Sequence, residues 1–147
     1  MRKIINILFI CILSIQGFAK TKEKPVITMV RGGCFGTCPV FELRFYKSGK
    51  IEFDGKLYVA KIGLARKKVS KATIKKLITA FNDAHFGDLN DEYTSPATDG
   101  PTITVSFYDG KKVKKVKDYI EGPENLKRLE ELLMNMVEQQ GWLLKAS

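Results

Sequence analysis

The chain has little of what catalysis or metal binding normally uses. Its 147 residues include one histidine, three cysteines and one tryptophan. A histidine-dependent hydrolase would rely on His85 as its only base, and no Gly-x-Ser-x-Gly nucleophile motif accompanies it. The acidic residues Asp88, Asp91 and Glu92 do not follow the spacing of an EF-hand calcium loop. This composition favours a protein that is not an enzyme.

The chain also lacks an apolar run long enough to span a bilayer. Residues 4–15 are apolar at all but two positions, whereas a membrane-spanning helix needs about 20 such residues. Two basic residues precede the run, and Gly17-Phe18-Ala19 follows it with small residues at the minus-three and minus-one positions of a signal-peptidase site. These features predict a signal peptide at residues 1–19 and an exported protein, periplasmic or secreted. No transmembrane segment is expected after cleavage.

Acidic residues are the minority among the charged side chains. The chain has 16 Asp and Glu against 25 Lys and Arg, which gives a formal net charge of +9. Such an excess keeps an exported domain soluble, and it also favours contact with anionic glycans or lipid headgroups. Nucleic acid is not an expected partner, because the lysines lack the interleaved aromatic residues on which bases stack. The expected partner is therefore an envelope protein or an anionic glycan.

The apolar pattern that is present predicts one domain at residues 26–145, after a flexible lysine-rich leader at residues 20–25. Apolar and polar residues alternate along several short segments, as they do in half-buried strands. Ser48-Gly49, Asp54-Gly55 and Asp109-Gly110 predict tight turns, the last of them a two-residue hairpin. The main predicted strands cover residues 26–31, 40–46, 64–69, 103–108 and 111–118.

Two helices are predicted from apolar residues at helical spacing. Ser70 is the expected N-cap of the first helix, which His85-Phe86-Gly87 ends with Gly87 on its C-terminal side. Gly122-Pro123 opens the second helix and Gly141 closes it, with Trp142 folding back onto the core. The order strands, helix, hairpin, helix predicts an α+β fold. We expect a two-layer domain with a mainly antiparallel sheet and both helices packed on one face.

The segment Cys34-Phe35-Gly36-Thr37-Cys38-Pro39 concentrates the chemistry of the chain. Removal of the predicted signal peptide removes Cys11 and leaves two cysteines, Cys34 and Cys38. A structural disulfide between them is favoured, because an even number of cysteines is typical of exported chains. Closing so short a ring stabilises a protein by about 2 kcal/mol. A redox pair is less favoured, since the two thiols are separated by three residues and a strand follows them instead of a helix.

A copper site is a further alternative for the two cysteines. Cys-x-x-x-Cys-Pro is similar to a motif of the copper-delivery proteins that assemble cytochrome oxidase, where two thiolates and a distant histidine bind the metal. Soft sulfur ligands suit Cu(I), and His85 could serve with Cys34 and Cys38 as the third ligand. The resemblance implies a thioredoxin-type fold, which the predicted order of strands does not match.

Residues 88–101 form a polar loop long enough to suggest a function or an anchoring role. Asp99 within it is expected to cap a turn by accepting backbone N–H bonds. This loop and the cysteine segment both lead directly into strands, so we expect them to lie at the same end of the sheet. Together they give a candidate binding surface made of Phe35, Gly36, Thr37, Pro39, Thr98, Asp99 and Pro101.

The stretch from Arg31 to Phe41, Arg-Gly-Gly-Cys-Phe-Gly-Thr-Cys-Pro-Val-Phe, resembles the opening signature of an uncharacterised domain family found in exported bacterial proteins. Thr98-Asp99-Gly100-Pro101 before a strand and Asp109-Gly110-Lys111 are similar to later parts of the same family. The resemblance implies a small stand-alone exported domain and implies no activity. The sequence thus predicts a non-catalytic binding or scaffolding module, with a thiol-based copper or redox protein as the alternative.

Overall fold

A computed structural model describes residues 23–96 and 99–144 of the chain. The predicted signal peptide at residues 1–19 and Thr98 of the candidate binding surface lie outside these residues. In chain order the elements are β1 (Ile27–Arg31), β2 (Val40–Phe45), β3 (Lys50–Leu57), β4 (Gly63–Lys68), α1 (Lys71–Asp83), a short 3-10 turn (Phe86–Asp88), β5 (Glu92–Tyr93), β6 (Ile103–Tyr108), β7 (Val113–Asp118) and α2 (Glu124–Gln139).

The seven strands form one sheet in the order β4-β3-β2-β1-β6-β7-β5. Neighbouring strands are antiparallel except for β5, which pairs in parallel with the end of β7. The short strand β5 lies within the segment predicted to be loop, and two residues are too few to show a periodic pattern. The prediction of an α+β chain with a mainly antiparallel sheet is confirmed.

Alternation along the strands buries one set of side chains and leaves the next set at the surface. Met29 of β1 is fully buried and stands beside Leu43 of β2 and Val105 of β6, which are buried too. These side chains belong to one apolar cluster with residues of both helices, among them Leu77, Phe81, Leu126, Leu133 and Val137. Trp142 stacks on Phe53 with ring centroids 5.0 Å apart, so its predicted return to the core is confirmed.

Helix α1 begins as predicted and ends earlier than predicted. The side chain of Ser70 accepts a hydrogen bond from the Thr73 N–H at 3.0 Å, which is the expected N-cap. The left-handed residue after the helix is His85, with φ of 51°, and not Gly87. The chain turns at this point because Phe86 enters the core, where its ring lies 5.1 Å from that of Phe81.

Two predicted turns are wrong in detail. Asp54 and Gly55 lie inside β3, where Gly55 pairs with Phe41 and Gly63. The glycine is needed there for another reason: the loop after β3 doubles back so closely that a Cβ on Gly55 would stand 2.0 Å from the Lys61 carbonyl oxygen. The second hairpin has four connecting residues, 109–112, instead of two. Asp109 closes it by accepting backbone N–H bonds from residues 111 and 112 at 2.7 and 2.8 Å.

We predict that Gly55→Ala lowers the free energy of unfolding by about 1–3 kcal/mol, the usual cost of overpacking a filled site. Gly87→Ala is the matched control, because no atom lies within 4 Å of its would-be Cβ and its φ is not positive. Urea unfolding followed by far-UV circular dichroism measures both variants. Equal stability of the two would contradict the close approach of the loop to Gly55.

Candidate functional site

The candidate site lies at the end of the sheet where β1 stops. Arg31, the last residue of β1, pairs with Phe41 on one side and with Ile103 on the other. Beyond this row the Gly32 N–H donates a hydrogen bond to the Thr102 carbonyl oxygen at 2.8 Å. The β3–β4 connection and the segment after β7 reach the same end. We call residues 32–39, 99–102 and 119–123 the loop end.

The cysteine segment is a closed loop with its aromatic residue outside. Cys34 and Cys38 form a disulfide pair, with Cα atoms 5.7 Å apart, as is usual for such bonds. The Arg31 guanidinium donates a hydrogen bond to the Pro39 carbonyl oxygen at 2.7 Å and so ties the loop to the end of β1. The side chain of Phe35 is 86% exposed. The predicted pairing of the cysteines is thus present, and the loop displays an apolar ring to solvent.

An open groove of about 310 Å³ separates the cysteine loop from the loop before β6. Its lining residues are Gly33, Cys34, Phe35, Gly100, Thr102 and Tyr119. Of the residues predicted for this surface, Phe35 lines the groove. Three others are exposed beside it, namely Gly36, Thr37 and Asp99. The two prolines, Pro39 and Pro101, are half-buried. The two loops therefore lie together, and Tyr119 is a groove residue that the sequence did not indicate.

Behind the groove, a buried carboxylate connects the end of β7 to α2. Asp118 is 1% exposed and shares a row of the sheet with Arg31 and Ile103. It accepts a hydrogen bond from the Gly122 N–H at 2.8 Å and forms an ion pair with the Lys127 ammonium group. A buried charge needs such partners, since an unpaired one would be costly. Asp118 thereby fixes the segment that carries Tyr119.

A second buried carboxyl group, Glu130 of α2, lies against this pair. Burial, and after it the negative charge of Asp118, raises the pKa of Glu130 to about 8, while the Lys127 ammonium group at 3.8 Å acts in the opposite direction. The Glu130 Oε1 atom has no hydrogen-bond partner among the described residues. At neutral pH the group is therefore mostly protonated, which allows it to donate a hydrogen bond to Asp118.

Sequence reasoning missed Glu130, although its position carried a signal. It lies between Leu126 and Leu133 on the buried stripe of α2, a place where a charged residue is unusual unless it is paired. A carboxyl group at that position indicates a buried partner elsewhere in the chain. The partner, Asp118, lies on a different element and could not be identified from the helix alone.

Strained backbone joins this cluster to the groove. Ile120, between Asp118 and Gly122, has φ of 75°, which is a rare conformation for a β-branched residue. Its side chain packs over Gly100 so closely that a Cβ there would lie 2.2 Å from the Ile120 Cδ1 atom. The segment after β7 thus supports the loop before β6, and both contribute to one wall of the groove.

The third ligand of the predicted copper site, His85, is not brought to the cysteines. Its side chain is exposed, with Nδ1 3.8 Å from a carboxylate oxygen of Asp88. The adjacent Phe86 packs on Phe107, which pairs with Ile27 at the opposite end of β1 from the cysteine loop. Within residues 23–96 and 99–144, no three or more His, Cys, Asp or Glu side chains are grouped so as to hold a metal ion.

Comparison with known families gave one finding. The model of a family described as a domain of unknown function, DUF6438, matches residues 25–137, a range that includes the whole loop end. A search of curated proteins returned no match. In the part of the chain that the structure describes, no helix is both long and apolar enough to cross a membrane.

The raised pKa of Glu130 predicts a pH-dependent stability. The pKa of Glu130 is about 8 in the folded protein and 4.5 for a free glutamate side chain. The stability that this difference contributes is therefore fully present below pH 4.5. That contribution is lost as the pH rises towards 8. Glu130→Gln, which keeps a neutral group, should therefore lose about 2–4 kcal/mol less stability than the wild type over this range.

Glu131→Gln is the matched control, because Glu131 is the exposed neighbour in the same helix. Urea unfolding at a series of pH values measures all three proteins, and the control should follow the wild type. Parallel pH profiles of Glu130→Gln and the wild type would show that Glu130 is ionised in the folded state.

Proposed function

The chain belongs to the family described as domain of unknown function DUF6438, and we propose that it is a non-catalytic binding module whose ligand contacts the loop end. One observation carries the proposal: two loops converge on a groove beside Phe35, a large apolar side chain that is 86% exposed. A disulfide and a hydrogen bond from Arg31 hold the loop that displays it. An apolar ring held rigidly at the surface suits binding, since little conformational entropy is lost on contact.

The groove has the composition of a recognition surface. Phe35 and Tyr119 contribute aromatic rings, which are enriched at binding interfaces. Thr102 and the glycines offer hydroxyl and backbone groups that can form hydrogen bonds to a ligand. The nearest buried acids, Asp118 and Glu130, are almost fully excluded from solvent and are engaged with Lys127. These two carboxyl groups are therefore not available for acid–base chemistry on a ligand in the groove, because such chemistry requires a group within reach of the substrate.

The two-layer arrangement of the domain explains why this end is available. We infer that α1 and α2 cover the face of the sheet that carries Met29, because their buried residues belong to the same cluster. The opposite face, with Glu42 and Arg44 of β2, is half-exposed and charged. The loop end lies beyond the ends of β1 and β7, and among residues 23–96 and 99–144 the two helices lie outside it.

Export and an oxidising compartment remain part of the proposal. The disulfide pair supports them, since such bonds persist in the periplasm or outside the cell. Within this setting an envelope protein or an anionic glycan is the expected partner. The disulfide is structural in this account, and the cysteines are not ligands of copper.

A fragment screen monitored by amide chemical shifts tests the proposal and does not require the ligand to be identified first. We expect the perturbed amides to concentrate at Gly33–Phe35, Gly100, Thr102 and Tyr119. Phe35→Ser should lower the affinity of the bound fragments about tenfold, which is the effect of losing one buried aromatic contact. Val113→Ser, which changes an exposed apolar residue at the opposite end of the sheet, is the control and should leave them unchanged.

Hits concentrated between the helices, near Asn125 and Leu132, would contradict the proposal. Intact mass and thiol labelling of the natively isolated protein, with and without Cu(I), address the alternative. We expect no free thiol and no bound copper. Reactive thiols or bound copper would instead favour the thiol-based protein.

A further inference from the structure

The connection between β3 and β4 exposes an apolar surface that folding does not explain. Four large side chains within eight consecutive residues are between 46% and 61% exposed: Leu57, Tyr58, Ile62 and Leu64. We call these four residues the hairpin tip. Apolar side chains concentrated on one exposed hairpin are typical of an interaction site, whereas isolated ones need no explanation.

The hairpin tip is held in place by the rest of the domain. Val59, in its centre, is buried in the core. The N–H groups of Ala60 and Lys61 both donate hydrogen bonds to the Trp142 carbonyl oxygen, at 2.9 and 3.3 Å. Since the ring of Trp142 stacks on the buried Phe53 of β3, the tip is tied to the apolar core. Its apolar side chains are therefore displayed by a rigid support.

Positive charge accompanies the hairpin tip. No acidic residue occurs between Asp54 and Asp83, and this interval contains eight lysine and arginine residues. Lys56 is paired with Asp54, and Arg66 with Glu52. Within the described residues Lys61, Lys67 and Lys68 form no ion pair. Strand β4 thus continues the tip as a basic edge of the sheet.

We propose that the hairpin tip docks on the surface of an anionic phospholipid bilayer. The apolar side chains enter the boundary between headgroups and acyl chains, while Lys61 and the basic edge face the lipid phosphates. A second copy of the chain fits less well, because two basic edges repel each other, and lysines on an edge strand disfavour pairing. The proposal concerns residues 57–64 and does not depend on the groove, so either can fail without the other.

Flotation with lipid vesicles tests this docking. The protein is used from residue 20 onwards, because the apolar run at residues 4–15 would bind lipid by itself. This chain retains the complete described core, which extends from Val26 to Trp142. We expect it to float with vesicles of equal parts phosphatidylcholine and phosphatidylglycerol, to float far less with phosphatidylcholine alone, and to be released by salt.

The double variant Leu57→Ser/Ile62→Ser should reduce partitioning into the anionic vesicles by about tenfold or more, since each substitution removes a buried aliphatic side chain. Val113→Ser is the matched control: it also replaces an exposed aliphatic residue, at the opposite end of the sheet, and should partition like the wild type.

Absence of binding to the anionic vesicles would overturn the proposal. So would equal binding of the double variant and the wild type. If the double variant loses vesicle binding but still binds heparin like the wild type, the proposal is supported. Binding to heparin, a soluble polyanion, depends on the lysines and not on the apolar side chains of the hairpin tip. Circular dichroism and thermal unfolding verify that the exposed substitutions leave the fold intact.

Discussion

The central position of β1 determines where the two loops of the candidate site meet. Strand β1 is antiparallel to β2 on one side and to β6 on the other, with Met29 opposite Leu43 and Val105. The end of β1 must therefore lie beside the beginnings of β2 and β6. The cysteine loop and residues 99–102 are connected to those ends, and they meet because of the strand pairing and not because of their own sequences.

Two separate devices then fix the loops that this pairing brings together. On one side the disulfide and the Arg31 hydrogen bond close the cysteine loop. On the other, the buried Asp118 orders the turn into α2, and Ile120 supports Gly100. The first device depends on the redox environment, and the second lies against Glu130, whose pKa is raised by burial. The groove between them is lined by residues from three parts of the chain.

Much of this architecture is readable from local sequence. Alternation along residues 40–46 and 103–108 predicts the strands, and Ser70 predicts the start of α1. The even number of cysteines in the expected mature chain predicts the disulfide pair. The wrong turn at Asp54-Gly55 and the missed Glu130 and Tyr119 share one physical cause, which is contact between residues on different elements. Asp54-Gly55 predicts a turn because the closeness of Gly55 to Lys61 is invisible in the dipeptide. Glu130 and Tyr119 acquire their roles from Asp118 and Thr102, which lie on other elements.

The disulfide, in this account, positions the groove instead of doing chemistry. Amide hydrogen exchange before and after reduction tests that role most directly. We expect reduction to speed exchange in residues 32–39 and 100–102, because the Gly32 N–H bond to Thr102 couples the two loops. Exchange in β2 and β3 should stay slow, since their core contacts are independent of the disulfide. Unchanged exchange at residues 100–102 would contradict this role of the disulfide.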